Sequence, residues 1–266
     1  MLANFHTHTT FCDGKGEAEE VVLSAISEGF DSIGFSSHGY TPYDLRYCMK
    51  NTEGYIREIR RLKDKYKDKI EIYVGTEEDS RAPVNRDALD YIIGSCHYAM
   101  KDGVAIPIDS SPDYFKKALA LYDGNPIRLA EAYYSHFSEY IKERRPDVIG
   151  HFDLLTKYDE IGASDYLKNT EYNMIAEKYT LEALKAGSFF EVNTGMITRG
   201  YRTTPCPAEN LLWLIYKNGG GVVLSSDSHA PNTLASNFSI AIDILKDVGF
   251  KFAYILKGGK WIENYF

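Results

Sequence analysis

The chain has 266 residues, of which 44% are hydrophobic and 26% are charged, and its formal net charge is −8. This composition is typical of a globular protein with a sizeable core. The acidic balance disfavours non-specific nucleic-acid binding, which needs a basic surface. We find no secretory h-region and no apolar run near the roughly 18 residues that span a membrane, so we expect neither a secreted nor a membrane-spanning protein. Its four cysteines form no Cys-x-x-Cys pair, so we expect a reduced, cytoplasmic protein without nucleic-acid or membrane partners.

Short apolar runs alternate with amphipathic segments along the whole chain. The runs that predict strands are 2–5, 32–35, 70–75, 91–95, 147–150, 188–193 and 221–225. The segments that predict helices are 17–28, 52–68, 112–121, 127–143, 166–186, 208–218 and 236–248. Continuous apolar runs are typical of strands buried on both faces. Regular alternation with helices predicts a parallel sheet, closed as a barrel or open and doubly wound. No linker or repeat interrupts the pattern, so we expect a single domain over residues 1–266.

Metal-ligating side chains follow the predicted strands. His6 and His8 come at the end of the first strand, where residues two apart point to the same side, and Asp13 follows five residues later. In a parallel barrel the carboxyl ends of all strands meet at one face, where active sites of such folds are built. We therefore expect these side chains to converge. The others that follow strands are His38, Glu77, His97, His151, Asp227 and His229.

The remaining candidates are expected to be structural. His136 is the one histidine outside this set, and it falls in the middle of a predicted helix. Cys12 and Cys96 lie near ligands in the sequence, but we do not expect either to bind a metal.

The nine side chains comprise six imidazoles and three carboxylates, which is too many for one tetrahedral zinc ion. They suit two or three divalent ions, with a carboxylate bridging two of them. Carboxylates and water favour Mn, whereas imidazoles favour Zn or Fe. Paired metals lower the pKa of a bridging water and clamp the attacking and leaving oxygens. The set therefore predicts hydrolysis of a phosphoester or an amide. No nucleophile elbow, phosphate-binding loop or dinucleotide glycine motif is present.

The motifs that carry these residues resemble the PHP (polymerase and histidinol phosphatase) family, and most of all its monofunctional histidinol-phosphate phosphatases. They extend from residue 4 to residue 229, so the resemblance covers nearly the whole chain. It implies an α/β fold, a distorted (β/α)7 TIM-like barrel with the metal site at the C-terminal ends of the strands. The motifs are His6-x-His8 with Asp13, Ser37-His38, Gly75-Thr76-Glu77, Gly94-Ser95-Cys96-His97, Gly150-His151-Phe152-Asp153 and Ser226-Asp227-Ser228-His229.

The resemblance also implies a trinuclear centre of Zn, Mn or Fe. One ion would be held by His6, His8, Glu77 and Asp227. Glu77 would bridge to a second ion held by His97 and His151. Asp13, His38 and His229 would hold the third. Glu77 is chosen over Glu78 because the family pattern is Gly-x-Glu; the residues alone leave these neighbours open.

The implied reaction is hydrolysis of L-histidinol phosphate to L-histidinol and phosphate, a step of histidine biosynthesis. A metal-bridging hydroxide would attack the phosphorus in line. Asp13, His229 or a bound water would protonate the leaving oxygen, and the sequence does not rank them. Alternatives are another small phosphoester such as a nucleotide, an oligonucleotide end (disfavoured by the acidic charge), an amide substrate, or a non-catalytic metal-binding module.

Substrate contacts are predicted more loosely. Arg199 and Arg202, in the loop after the sixth strand, could grip the phosphate bidentately, and Arg81 follows Glu77 closely. The ammonium and imidazole of the substrate would need nearby carboxylates or tyrosines. Candidates for that second role are Asp153, Glu191 and Tyr201.

Overall fold

A computed structural model describes residues 1–266 as eleven strands and eight α-helices. The strands are β1 Ala3–Asn4, β2 Ser32–Phe35, β3 Glu71–Asp79, β4 Tyr91–Ser95, β5 Tyr98–Lys101, β6 Val104–Pro107, β7 Val148–Ile149, β8 Phe189–Asn193, β9 Val222–Ser225, β10 Phe252–Lys257 and β11 Lys260–Tyr265. The helices are α1 Ala18–Ser27, α2 Thr52–Tyr66, α3 Pro112–Ala120, α4 Pro126–Arg144, α5 Thr170–Leu184, α6 Gly195–Thr198, α7 Glu209–Lys217 and α8 Phe238–Val248. Three short 3-10 turns cover Leu154–Tyr158, Tyr166–Lys168 and Pro231–Thr233.

Seven parallel strands form a nearly closed barrel in the order β1-β2-β3-β4-β7-β8-β9. The first and last strands meet just beyond their ends, where Thr7 and Ser228 form a parallel bridge. The His8 amide donates to the Ser228 carbonyl at 2.8 Å, and the Ser228 amide donates to the His6 carbonyl at 3.0 Å. This closure excludes the open sheet and confirms the predicted distorted (β/α)7 barrel.

The barrel interior is filled by apolar side chains from several strands. Phe5 packs edge-on against Tyr91 and Trp261, with ring centroids 6.0 Å and 5.4 Å away. The Tyr91 hydroxyl crosses the barrel and donates to the Phe5 carbonyl at 2.6 Å. A Cβ at Gly75 would lie 2.3 Å from the Tyr91 ring, so glycine is required where the backbone approaches this ring. The antiparallel β10–β11 hairpin supplies Trp261 and covers the end opposite the polar residues.

The helices surround the barrel and bury one apolar stripe each. In α2, Tyr55, Ile59 and Leu62 are buried at helical spacing, and the charged residues between them face outward. Asn51 caps the helix by accepting from the Gly54 amide at 2.9 Å. Truncating Leu62 to alanine would cost about 2–5 kcal/mol of stability, as for other fully buried leucines. None of the helices is both long and apolar enough to cross a membrane.

Two local predictions were incomplete. The β5–β6 hairpin was not predicted; it turns at Asp102-Gly103, both with positive φ, and Asp-Gly is a known signal for such turns. The predicted helix 166–186 instead divides, because Asn169 accepts from the Tyr172 amide at 3.1 Å and begins α5 at Thr170.

Candidate metal centre

All nine predicted metal ligands lie at the carboxyl ends of the barrel strands. The closed barrel brings together the end of β1, the residues after β2, the extended β3, and the residues that follow β4, β7 and β9. A cavity of about 500 Å³ opens over this face. Of the nine, Asp13, His38, Glu77, His97, His151, Asp227 and His229 line the cavity. His6 and His8 lie directly beneath and are fully buried.

The first group of ligand atoms surrounds one point between β1 and β9. His6 Nε2 lies 3.2 Å from Glu77 Oε2 and 3.6 Å from Asp227 Oδ1. His8 Nε2 lies 3.2 Å from Asp227 Oδ1 and 3.6 Å from Glu77 Oε2. These spacings match the edges of a tetrahedron, roughly 3.3 Å, drawn around a zinc ion with bonds of about 2.0–2.1 Å.

Three atoms of this group also form no hydrogen bond of acceptable geometry with the protein, although His38 Nδ1 lies 2.8 Å from one of them, Glu77 Oε2. His6 Nε2, His8 Nε2 and Glu77 Oε2 are buried and accept or donate no hydrogen bond. A buried polar atom without a partner costs about 1–3 kcal/mol. Because their lone pairs converge, a divalent cation would satisfy all three, and the donor set therefore fits a metal.

Glu77 connects this group to a second one. Its Oε1 lies 2.9 Å from His151 Nε2 and 3.1 Å from His97 Nε2, while its Oε2 lies 2.8 Å from His38 Nδ1. One carboxylate thus faces five histidines, two through Oε1 and three through Oε2. This is the geometry expected of a carboxylate that bridges two ions.

Asp13 is the centre of a third group on the open side of the cavity. Its Oδ1 lies 3.5 Å from His229 Nε2, 3.7 Å from His38 Nε2 and 3.9 Å from His8 Nδ1. His38 therefore faces two groups, one through each ring nitrogen. The side chains of Asp13 and His229 are 35% and 28% exposed, the most accessible of the nine.

Several ligand imidazoles are held through Nδ1, so that Nε2 points inward. His6 Nδ1 contacts Glu191 Oε1 at 2.5 Å, His97 Nδ1 contacts Asp79 Oδ2 at 3.2 Å, and His229 Nδ1 contacts the Asp227 carbonyl at 3.0 Å. Such partners set the ring orientation and the tautomer of metal-binding histidines.

The electrostatics favour the metal-binding protonation state at Glu77 and at His8. Burial alone would raise the pKa of the Glu77 carboxyl, but His6, His38 and His97 hold it well below its usual range. Burial and the neighbouring imidazoles of His229 and His38 lower the pKa of His8 to about 3. Ionised carboxylates and neutral imidazoles are the forms that ligate. At His6, His97 and His229 burial lowers the pKa, but neighbouring carboxylates outweigh it and raise the pKa, so these imidazoles would release a proton on binding a metal.

Glu77 and its neighbour Glu78 point to opposite sides of β3. Glu78 points out of the barrel, where it accepts from the Tyr140 hydroxyl at 2.7 Å and from Arg144 at 2.6 Å and 2.9 Å. Successive side chains of a strand face opposite sides, so only Glu77 can face the histidines. This placement agrees with the choice made from the Gly-x-Glu pattern.

The predicted phosphate-binding arginines have different locations. Arg199 lines the cavity and donates to Asp227 Oδ2 at 2.7 Å. Arg81 and Arg202 do not line it. Arg81 donates to the Tyr98 carbonyl at 3.3 Å, and the buried Arg202 donates to Thr156 Oγ1 at 2.7 Å. Of the three arginines, only Arg199 lies where a ligand in the cavity could contact it.

The residues predicted for the organic end of the substrate are also elsewhere. Asp153 is fully buried and accepts from the Ala208 amide at 2.9 Å. Glu191 lies beneath His6, and Tyr201 packs against the Tyr158 ring at 5.2 Å. His136 hydrogen bonds Ser80 at 3.1 Å, away from the cavity, and is structural as predicted.

Sequence reasoning missed the charged and aromatic residues of the outer wall. Lys157 Nζ donates to the Asp109 carbonyl at 2.6 Å, and both residues line the cavity. The Tyr47 and Tyr98 hydroxyls lie 2.7 Å apart, and the Tyr47 ring packs edge-on against His38. Asp109 and Tyr98 belong to the unpredicted β5–β6 region, and no motif marks them. The Asp-Gly turn is the one sequence signal that could have indicated this wall.

The sequence of this chain matches a known domain family. The sequence pattern of the PHP domain matches residues 4–195, which contain seven of the nine ligands. A protein of Schizosaccharomyces pombe named "Probable histidinol-phosphatase" is 31% identical over 285 residues. The match covers 97% of this chain and 90% of the S. pombe protein. A Deinococcus radiodurans protein of the same name is 25% identical, and the match covers 93% of this chain and 94% of the D. radiodurans protein.

A solved structure shows the same fold. The histidinol phosphate phosphatase of Lactococcus lactis, crystallised with zinc, L-histidinol and phosphate, superposes with a TM-score of 0.75 at 20% identity. The similarity covers 98% of both chains. On the strength of the matched domain and the full-length relatives, this chain belongs to the PHP domain family.

Proposed function

We propose that this protein is a metal-dependent phosphatase that hydrolyses L-histidinol phosphate to L-histidinol and phosphate. The observation that carries the proposal is the convergence of nine candidate ligand side chains at or directly beneath one cavity, whose remaining wall offers both cations and a carboxylate with a single long contact. A phosphate monoester with an ammonium group needs both kinds of contact. The relatives named as histidinol-phosphatases point to the same substrate.

We assign the nine side chains to three divalent ions, Zn, Mn or Fe. His6, His8 and Asp227 would hold one, with Glu77 shared between it and a second at His97 and His151. Asp13, His38 and His229 would hold the third. Divalent ions at such a site neutralise phosphoryl oxygens and lower the pKa of water to supply a nucleophile.

Arg199 would hold the phosphoryl group against this centre. Its guanidinium donates to Asp227 Oδ2 at 2.7 Å and to the Asp227 carbonyl at 3.2 Å. Those two bonds hold the plane of the guanidinium, and its remaining donors are free to bind phosphate oxygens. A guanidinium matches phosphate bidentately.

Asp109 would accept the ammonium of the substrate. Two carboxylates line the cavity apart from the ligands, Asp44 and Asp109. Arg46 already occupies Asp44 with bonds of 2.5–3.2 Å. The Asp109 carboxylate has one long contact, 3.4 Å from Lys157 Nζ. Burial opposes its ionisation, but Lys157 holds the pKa of Asp109 below its usual value, so the carboxylate is available as an anion.

Tyr47 and Tyr98 would contact the imidazole. Their linked hydroxyls hold both residues at the cavity wall, where the half-buried Tyr47 ring could pack against a planar heterocycle and the buried Tyr98 holds it in place. The wall thus places an aromatic surface beside the ligand side chains.

Asp13 and His229 are the two candidates for protonating the leaving oxygen, because they are the most exposed groups of the centre. Loss of a general acid slows substrates with poor leaving groups more than those with good ones. Comparing Asp13→Asn and His229→Gln on histidinol phosphate and on p-nitrophenyl phosphate would separate them. The general acid is the residue whose substitution slows hydrolysis of histidinol phosphate, an alkyl phosphate, more than hydrolysis of p-nitrophenyl phosphate.

The function is tested with purified protein, elemental analysis and a substrate panel. We expect turnover of L-histidinol phosphate with a kcat/KM at least 100-fold above that for nucleoside monophosphates or for amides. Equal turnover of a nucleotide, or activity on an amide alone, would replace the proposed substrate. Full phosphatase activity in metal-free Asp227→Ala protein would exclude the metal-dependent mechanism.

A further inference from the structure

Glu191 is a fully buried carboxylate directly beneath the metal centre. It lies on β8, and neither of its oxygens reaches the cavity. Its Oε1 contacts His6 Nδ1 at 2.5 Å and accepts from the Ser225 hydroxyl at 2.6 Å. Its Oε2 accepts from the His151 amide at 2.7 Å. One side chain thereby joins four strand ends of the barrel.

The contact with His6 decides which ring nitrogen faces the metal. An anionic acceptor at Nδ1 keeps the proton on that nitrogen, which leaves the Nε2 lone pair free. His6 Nε2 is the atom that lies 3.2 Å from Glu77 and has no protein partner. A carboxylate in this position also increases the basicity of the imidazole and so strengthens it as a ligand.

The contact with the His151 amide fixes a second ligand through the backbone. His151 follows β7, a strand of only two residues, so the strand itself provides few bonds to hold it. Ser225, the third partner, is the last residue of β9 and precedes Asp227 by two residues. Movement of Glu191 would displace ligands of both ions that Glu77 joins.

We propose that Glu191 is a positioning residue for metal binding, which orients His6 and His151 and so sets the affinity of the two ions that Glu77 would bridge. The proposal rests on the metal centre described above and not on the identity of the substrate. The third group, around Asp13 and His229, makes no contact with Glu191 and should be affected much less.

A carboxylate is needed because all three partners are donors. A glutamine would accept through one atom only and would direct its NH2 group at the His151 amide or at His6. The Glu191→Gln variant therefore keeps the volume of the side chain while removing one acceptor and the charge.

The test is zinc titration of metal-free Glu191→Gln against a competing fluorescent chelator. We expect the tightest zinc sites to weaken about 10–100-fold, the range found when such outer partners are removed. The absorption spectrum of the cobalt-loaded variant should also change, because the geometry of the ligands around the ion changes. Loss of stability alone would not alter that spectrum.

Asp153→Asn provides a matched control. Asp153 is equally buried and also accepts a backbone amide, but it contacts no metal ligand side chain. We expect this variant to lose stability while its zinc affinity stays within about threefold of the wild type. The comparison separates the cost of a lost buried carboxylate from an effect on the metals.

Unchanged zinc affinity and an unchanged cobalt spectrum in Glu191→Gln would overturn the proposal. If that variant does not fold, Glu191→Asp decides, because its shorter side chain cannot reach His6 and His151 together. Wild-type affinity in Glu191→Asp would then count against a positioning role. A wild-type protein that binds zinc but does not cleave histidinol phosphate would contradict the proposed function and leave this inference standing.

Discussion

Arg199 donates hydrogen bonds to Asp227, one of the candidate metal ligands. Its Nη2 donates to Asp227 Oδ2 at 2.7 Å, while Asp227 Oδ1 faces His8 at 3.2 Å. The two oxygens of the Asp227 carboxylate therefore face different partners. Oδ1 faces the histidines, and Oδ2 accepts from the Arg199 guanidinium. This arrangement would hold the positive charge proposed for phosphate binding beside the candidate metal ligands.

Replacing Arg199 by lysine should reduce kcat/KM for histidinol phosphate by about 100-fold. Lysine keeps the charge but loses the planar fork that can hold Asp227 and phosphate together, and charged hydrogen bonds contribute about 1.5–3 kcal/mol each. Steady-state kinetics measured on protein with verified metal content would check this value.

Arg81→Gln is the matched comparison, because Arg81 lies outside the cavity. We expect its kcat/KM to remain within about threefold of the wild type. A large loss in Arg81→Gln with little loss in Arg199→Lys would reverse the assignment of the phosphate contact.

Replacing Asp109 by asparagine should change substrate preference. Removing the charge that faces the ammonium should lower kcat/KM for histidinol phosphate about 10–100-fold, in line with the loss of a charged hydrogen bond. Hydrolysis of p-nitrophenyl phosphate, which has no ammonium, should change by less than about threefold.

The control is Asp113→Asn, since the Asp113 side chain is 86% exposed on α3 and close in sequence. An equal loss on both substrates in Asp109→Asn would indicate general damage to the site. That result would contradict a role in recognising the ammonium.

Chelation should inactivate and destabilise the protein. Without ions, His6 Nε2, His8 Nε2 and Glu77 Oε2 remain buried and unpaired, and ligands that bind only the folded state stabilise it. We expect dipicolinate treatment to abolish phosphatase activity and lower Tm, and added Zn or Mn to restore both.

Dipicolinate saturated with zinc beforehand should have no effect. Full activity in protein that contains no metal by elemental analysis would rule out the proposed centre.

Stability should fall in mild acid because of His136. Burial, with a contribution from Arg81, lowers the pKa of His136 from 6.5 to about 4. Between these values the unfolded chain binds a proton that the folded chain excludes, so the free energy of unfolding decreases as the pH falls from 6.5 towards 4. Above pH 6.5 the residue is neutral in both states and this contribution to the pH dependence vanishes.

Urea unfolding of wild type and His136→Gln at pH 7.5 and pH 5 would measure this effect. Glutamine can keep the bond to Ser80 but does not titrate, so the variant should lose less stability on acidification. The metal-ligating histidines titrate in both proteins and cancel in the comparison. Equal losses would show that His136 is not the responsible group.

Much of the centre was predictable because its signals are local. His6 and His8 lie two residues apart at a strand end, and that periodicity alone directs both rings to one side. Apolar runs followed by histidine or a carboxylate occur strand after strand, and in a parallel barrel strand ends meet by geometry. The fold class and the convergence of the ligands thus follow from the order of residues along the chain.

The wall of the cavity was not predictable in this way. The sequence does not decide which of the three candidate arginines reaches the cavity. Arg199 does, and Arg81 and Arg202 do not. Asp109 and Lys157 are far apart in the chain, and they meet because the β5–β6 hairpin and the turn after β7 fold over the same strand ends. By itself the sequence determined the barrel and the candidate metal ligands at its strand ends. Only the tertiary structure decided which charged residues line the cavity, because that depends on how distant loops pack rather than on local periodicity.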